Sequence, residues 1–252
     1  MWIIVTLIVL LVVLAAVGSV IGPFLTFRRL PDRVESDGIA VVRDGFVSVG
    51  VVPMGEREVA LVDAGNDKQG KAILGELARR GLGPDDVKVI LLTHGHPDHM
   101  GAIRLFPNAQ VMALADEVDV VEGRATSGAA LFRFVKPKPT GIRVARALQD
   151  GESLALGAYA VRVFAIPGHT PGSAAYAIGE NLFLGDSANQ DKKGHIRLGP
   201  AAFSMSAALN RKSLVALSRR LADNSSIKTL VFSHSAAMST GLAPLREFAR
   251  RG

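Results

Sequence analysis

Residues 93–103 read THGHPDHMGAI and follow the apolar run VKVILL (87–92) without a break. Three of the chain's six histidines fall in this short stretch, with Asp98 among them. Residues at i and i+2 of an extended segment point the same way, so His94 and His96 can grip one ion. Asp98 and His99 would open a helix DHMGAIRLF and project to a neighbouring point, where a second ion could sit.

Working outward, the same arrangement recurs. His169 follows FAIPG, Asp186 follows LFLG and His234 follows TLVFS, each an apolar run of strand type. Five of the six histidines, and an aspartate after a glycine, therefore stand at or just beyond strand ends. One histidine in such a place is most often structural; five placed alike point to a metal site. Imidazole and carboxylate without thiolate suit zinc, and also iron or manganese, rather than copper(I) or calcium.

The 252-residue chain has no cysteine, which excludes a disulfide framework, a thiolate metal site and a cysteine nucleophile. Its 48% hydrophobic content supplies a Val/Leu/Ile/Ala core. The net charge of +6 comes from basic residues scattered in ones and twos. No nucleic-acid partner is expected, because such binders cluster their charge with interleaved aromatics. An anionic small-molecule substrate or an anionic membrane surface accounts for the balance equally well.

Residues 2–27, WIIVTLIVLLVVLAAVGSVIGPFLTF, carry no charge. About 20 apolar residues cross a hydrocarbon core of about 30 Å. No basic n-region precedes the run and no A-x-A site follows it, so it is expected to be a single-pass anchor and not a cleaved signal peptide. Arg28, Arg29 and Arg33 lie just after it, and the positive-inside bias puts the following domain on the cytoplasmic face. The expected division is an anchor over 1–27, a polar linker over 28–37 and a folded domain over 38–252.

The domain reads as strands at 38–42, 46–52, 58–64, 87–92, 110–115, 142–148, 159–166, 174–178, 181–186 and 228–233. Helices are expected at 71–81, 116–123, 205–222 and 243–251. Consecutive strands exclude a purely alternating parallel plan, and an α/β sandwich with outer helices fits best.

THGHPDHMGA resembles the H-x-H-x-D-H signature of the metallo-β-lactamase superfamily. PGHTPGS (167–173), FLGDS (183–187) and FSHS (232–235) resemble its remaining ligand motifs, in the family's order, and Asp63 in LVDAG resembles its early supporting aspartate. The resemblance covers roughly residues 38–240. It implies a four-layer αββα sandwich with the metal site at one edge, between the sheets. It further implies that His94, His96 and His169 bind one metal, that Asp98, His99 and His234 bind a second, and that Asp186 bridges the two. Asp98 would also orient a hydroxide shared by the metals, and the expected cofactor is two Zn²⁺.

Asp186 points to the glyoxalase II-like thioesterases, lactonases and phosphodiesterases, since the β-lactamases of the superfamily carry Cys or Ser there. The expected activity is hydrolysis of a small ester, thioester or lactone. The alternative is a persulfide dioxygenase-like enzyme with one iron on His94, His169 and Asp186. A non-catalytic scaffold conflicts with the intact ligand set. Lys192, Lys193, His195 and Arg197 form a candidate cationic lip for an anionic substrate. The oligomeric state is open.

Overall fold

A computed structural model describes residues 5, 6, 10, 17, 18, 21–132 and 134–251. Most of the expected anchor over 1–27 lies outside the described residues. Among the described residues no helix is long and apolar enough to cross a membrane.

Seven strands form the first sheet in sequential order: β1 (Arg33–Ser36), β2 (Ile39–Asp44), β3 (Val47–Pro53), β4 (Val59–Val62), β5 (Val87–Leu91), β6 (Gln110–Leu114) and β7 (Arg146–Leu148). The first four pair antiparallel, as short turns allow, and β4 to β7 run parallel. Parallel pairing requires crossovers, and α1 (Lys71–Arg79) lies in the first of them. The second sheet holds β8 (Ser153–Leu156), β9 (Tyr159–Ala165), β10 (Ala174–Ile178), β11 (Asn181–Phe183) and β14 (Thr229–Val231), in the order β14-β11-β10-β9-β8. A separate hairpin joins β12 (Asn189–Gln190) to β13 (Ile196–Arg197).

Side-chain alternation builds the layers. In β4, Ala60 and Val62 enter the core between the sheets while Val59 and Leu61 pack outward with Ile73 and Leu77 of α1. In β10, Tyr176 and Ile178 face inward and Ala175 and Ala177 face the opposite way. That outer face is covered by α3 (Ala207–Arg220) and α4 (Ala243–Arg250), through Leu214, Leu217, Leu245 and Phe248. Ser206 caps α3 by accepting the Leu209 N–H, which starts this helix two residues later than expected. The result is the expected αββα order of layers.

Some expectations are corrected. The polar stretch read as a linker over 28–37 contributes β1, which pairs with β2, and Arg28 donates its N–H to the Gln190 carbonyl at 2.9 Å. Arg33 is fastened to Glu76 of α1 at 2.7 Å. An edge strand needs backbone partners on one side only, so RVES shows no apolar alternation to announce it. The strand expected over 142–148 shrinks to Arg146–Leu148, and the helix over 116–123 to α2 (Val118–Val121) preceded by a 3₁₀ turn. The helix expected from Asp98 is two separate 3₁₀ turns, Pro97–His99 and Ile103–Leu105. Strand β8 and the β12–β13 hairpin carried no recognised signal.

Strand direction positions the site. The C-terminal ends of β4, β5 and β6 in one sheet, and of β9, β11 and β14 in the other, lead into Asp63, His94, Glu117, His169, Asp186 and His234.

Candidate metal centre

The short loops after those strand ends bring seven donors together in two abutting groups. His94, His96, His169 and Asp186 offer ligand atoms within 4.8 Å of one another, and so do Asp98, His99 and His234. In the first group, His94 Nε2 and His169 Nε2 lie 3.0 and 3.1 Å from His96 Nδ1. Asp186 Oδ2 stands 3.4 Å from His169 Nε2 and 2.9 Å from His234 Nε2, and Asp186 Oδ1 stands 3.3 Å from His99 Nε2. Asp186 therefore faces both groups. Asp98 Oδ2 is 3.6 Å from His234 Nε2 and 3.9 Å from His99 Nε2.

The outer ring nitrogens assign the tautomers. Thr93 Oγ1 donates to Asp63, so it accepts from His94 Nδ1 at 3.1 Å. Ser204 Oγ donates to the Pro200 carbonyl and accepts from His169 Nδ1 at 3.0 Å. His99 Nδ1 donates to Asp63 Oδ2 at 2.8 Å, and His234 Nδ1 donates to the Phe46 carbonyl at 3.0 Å. In its neutral form each of these rings would turn an Nε2 lone pair inward, the state a metal ligand needs.

The donor set fits divalent cations. Three imidazole nitrogens meet at 3.0–3.1 Å with no proton to share in their neutral forms. Tetrahedral ligands at the usual zinc–nitrogen length of about 2.0–2.1 Å would stand about 3.3 Å apart. Asp186 Oδ1 and His99 Nε2 are buried and have no hydrogen-bond partner, as is His96 Nε2 on the outer side of its ring. Burial pushes the His169 imidazole down to about 3 and that of His96 to about 4, and holds His94 well below its ordinary value. Burial also presses on His99 and His234, but the Asp186 carboxylate beside them outweighs it and raises both. Burial would lift Asp186, yet those same imidazoles hold it well below the carboxylate range. A cation replacing the imidazolium protons would satisfy the same carboxylate.

Asp63 sits where the resemblance suggested. Its carboxylate accepts the Thr93 N–H at 2.8 Å as well as the His99 ring, and it does so from a left-handed backbone, φ 63°. Gly168 precedes His169 at φ 132°, where a Cβ would meet the Asn210 nitrogen at 2.1 Å, so only glycine lets the loop close.

Glu117 escaped the sequence reading. Fully buried, it accepts the Gly95 N–H at 2.8 Å, the Thr170 hydroxyl at 2.8 Å and the Gly172 N–H at 2.7 Å. It thereby ties the loop of His94 and His96 to the loop of His169. Burial raises its carboxyl above the ordinary range. No spacing rule marks it, because its partners are mostly backbone groups distant in sequence. Ser204 and Phe46 were missed for the same reason.

The expected cationic lip is divided. Lys192 lines a cavity of about 380 Å³ beside His234, with Arg28, Arg29 and Phe46. His195 and Arg197 line a different cavity, of about 640 Å³, and Asp191 holds the Arg197 guanidinium at 2.8 Å. Lys193 donates its backbone N–H to the same Asp191. A third cavity, of about 240 Å³, opens beside His96 and is walled by Phe132, Val135 and Met100.

Comparison with known proteins agrees with this geometry. The metallo-beta-lactamase superfamily profile matches residues 42–234. The chain belongs to that superfamily. It is 35% identical over 109 residues to metallo-beta-lactamase domain-containing protein 1 of Homo sapiens, covering 43% of this chain and 34% of that one. It is 27% identical over 150 residues to a hydroxyacylglutathione hydrolase of Edwardsiella ictaluri, covering 60% and 49%. The chain thus spans only about a third to a half of these curated relatives' lengths. A solved metallo-β-lactamase of Novosphingobium pentaromativorans shares the fold, with a TM-score of 0.62 at 23% identity over 90% of this chain and 88% of that one.

Proposed function

We propose that the protein is a dinuclear metal-dependent hydrolase, with zinc as its metal, acting on a small ester, thioester or lactone. One observation carries the reading: two donor groups abut with their lone pairs turned inward, and Asp186 faces both. His94, His96 and His169 would hold one cation and Asp98, His99 and His234 the other. Bound divalent cations supply Lewis acidity and bring the pKa of water from about 15.7 toward 7.

The chain's own residues do the remaining work. Asp63, Thr93, Ser204 and the Phe46 carbonyl hold the imidazoles in the ligating tautomer. Asp98 is the most exposed carboxylate of the set, its side chain 21% accessible against 6% for Asp186. It faces incoming substrate, and its Oδ2 would orient the attacking water, take its proton and pass it to the leaving oxygen or sulfur. Phe46, stacked on His234 with centroids 5.8 Å apart, and Phe132 beside His96 limit water at the two sides. The hydroxyacylglutathione hydrolase among the relatives supports hydrolysis as the reaction class.

The uncharged stretch 2–27 supports a single-pass membrane anchor as part of the proposal. Arg28 and Arg29 support a cytoplasmic domain. Arg33, engaged with Glu76, adds little to that bias.

The test is elemental analysis of the full chain in detergent, followed by turnover on a panel of esters, thioesters and lactones. Near two equivalents of zinc, lost in His96→Ala together with turnover, is expected. One equivalent of iron would replace the reading with oxygen chemistry on a sulfur substrate. A metal-free chain purified without chelators would refute both.

A further inference from the structure

Among the described residues, exposed large apolar side chains occur in three places only. They are the N-terminal segment as far as Leu25, Phe46, and the loop from Leu131 to Val135. Each place has a member that borders the metal site. Leu25 and Phe46 line the cavity beside His234, and Val135 lines the one beside His96. Phe134 is 91% exposed at the tip of that loop. Aromatic contacts join the two sides: Phe24 lies 5.8 Å from Phe203, which lies 6.2 Å from Phe132.

The same rim is basic. Arg28, Arg29 and Lys192 stand on the His234 side, Lys136 and Lys138 on the His96 side, all exposed. None of the five has a carboxylate partner among the described residues. Stretches 22–31 and 124–141 contain no Asp or Glu at all. Elsewhere on the surface, arginines are commonly paired, as in Arg57–Asp86, Arg146–Glu152 and Arg220–Asp150; at the rim itself Arg43 and Arg124 are paired, with Asp32 and Asp119.

Apolar tips set among unpaired cations are the chemistry of a surface that lies in the headgroup layer of an anionic bilayer. The occupant is indicated by the chain itself. The apolar run 2–27 enters the domain at this rim: residues 21–26 are helical, Phe24 touches the His234 ring at 5.6 Å and the Lys192 N–H donates to the Thr26 carbonyl at 3.0 Å. The apolar phase that would receive that run therefore lies beside the end of the rim where Leu25 and Phe46 line the His234 cavity.

We propose that the rim of the metal site is a membrane-docking surface that seats the mouth of the site on an anionic bilayer. Under the hydrolase reading above, on which this one clause rests, substrate reaches the site from the headgroup layer.

The chain's lack of cysteine allows a direct test. Full-length Phe134→Cys and Ser225→Cys, each carrying an environment-sensitive dye, are reconstituted into phosphatidylcholine vesicles with and without phosphatidylserine. Lipid-borne quenchers then read depth. Ser225 is exposed and precedes β14, at the opposite end of that strand from His234. A rim seated about 5–10 Å into the headgroup layer should lose about twofold or more of its emission at position 134, and none at 225. Raising salt from about 0.1 to about 1 M shortens the Debye length from about 10 to about 3 Å and should reduce the quenching at 134. Equal quenching at both positions, or none at 134, overturns the proposal. So does a shift at 134 that grows with protein concentration in vesicle-free detergent, which would assign the rim to a second copy of the chain. No turnover is measured, so failure of the hydrolase reading and failure of this one are seen separately.

Discussion

Glu117→Ala removes a buried side chain that clamps the loop of His94 and His96 to that of His169. Three donors lose their acceptor: the Gly95 and Gly172 N–H groups and the Thr170 hydroxyl. Thr170 keeps Ser173 at 2.7 Å, so two backbone donors are left buried and unsatisfied. Each costs about 1–3 kcal/mol. Relief from burying a carboxylate offsets part of this, since burial raises the Glu117 pKa. The net loss should be about 2–5 kcal/mol of folding free energy. Loss of the outer support should weaken metal binding by about 10–100-fold. Glu117→Gln keeps the shape and one acceptor oxygen but turns an amide N–H₂ toward a backbone donor, so it should cost less than the alanine variant. The assays are denaturant unfolding of the metal-free chain and competition for zinc against a chromophoric chelator. An alanine variant with zinc affinity within about twofold of wild type and stability within about 0.5 kcal/mol, the ordinary surface range, would refute the clamp.

Gly168→Ala should displace the His169 loop, because its Cβ would overlap the Asn210 backbone; a loss of about 2–4 kcal/mol together with reduced zinc content is expected, and a variant with unchanged zinc content speaks against it. Ser204→Ala removes the acceptor of His169 Nδ1 and should weaken zinc binding about tenfold at little cost in stability, as chelator competition would read. Burial lifts the Glu76 carboxyl, but Arg33 and Arg80 outweigh it and hold it below its ordinary value. Glu76→Gln should therefore cost about 1–3 kcal/mol at neutral pH. For a depressed carboxylate this stability is present above the unfolded pKa of about 4.3 and lost as pH falls through the folded value. The gap between the two proteins should thus close on acidification, and unfolding curves showing a constant gap would exclude the ion pair as its source.

Much of the centre was legible because its signals are local. An apolar run followed by a polar ligand type identifies a strand end, and five such ends carry Asp63, His94 with His96, His169, Asp186 and His234. The ligand residues need only short loops to reach the site. The succession of apolar strands likewise pointed to a sandwich with outer helices, and the side chains of β4 and β10 do pack on both faces of their sheets. Asp98 and His99 were legible as donors, although 3₁₀ turns and not a helix deliver them.

What only the tertiary structure decided depends on contacts between distant segments. Glu117 looks like any acidic residue beside Asp116 until the loops of Gly95 and Gly172 close over it. The stretch 33–36 is polar and becomes a strand only because β2 offers it an unpaired edge. The basic residues of 187–205 read as one lip, yet Asp191 draws Arg197 to a separate cavity while Lys192 stays beside His234. Phe24 and Phe46 beside His234, and Phe132 beside His96, reach the donor cluster from segments remote in sequence. The physical reason is common to all four. A residue's intrinsic chemistry is fixed along the chain, but its solvation and its partners are set by whichever backbone arrives beside it.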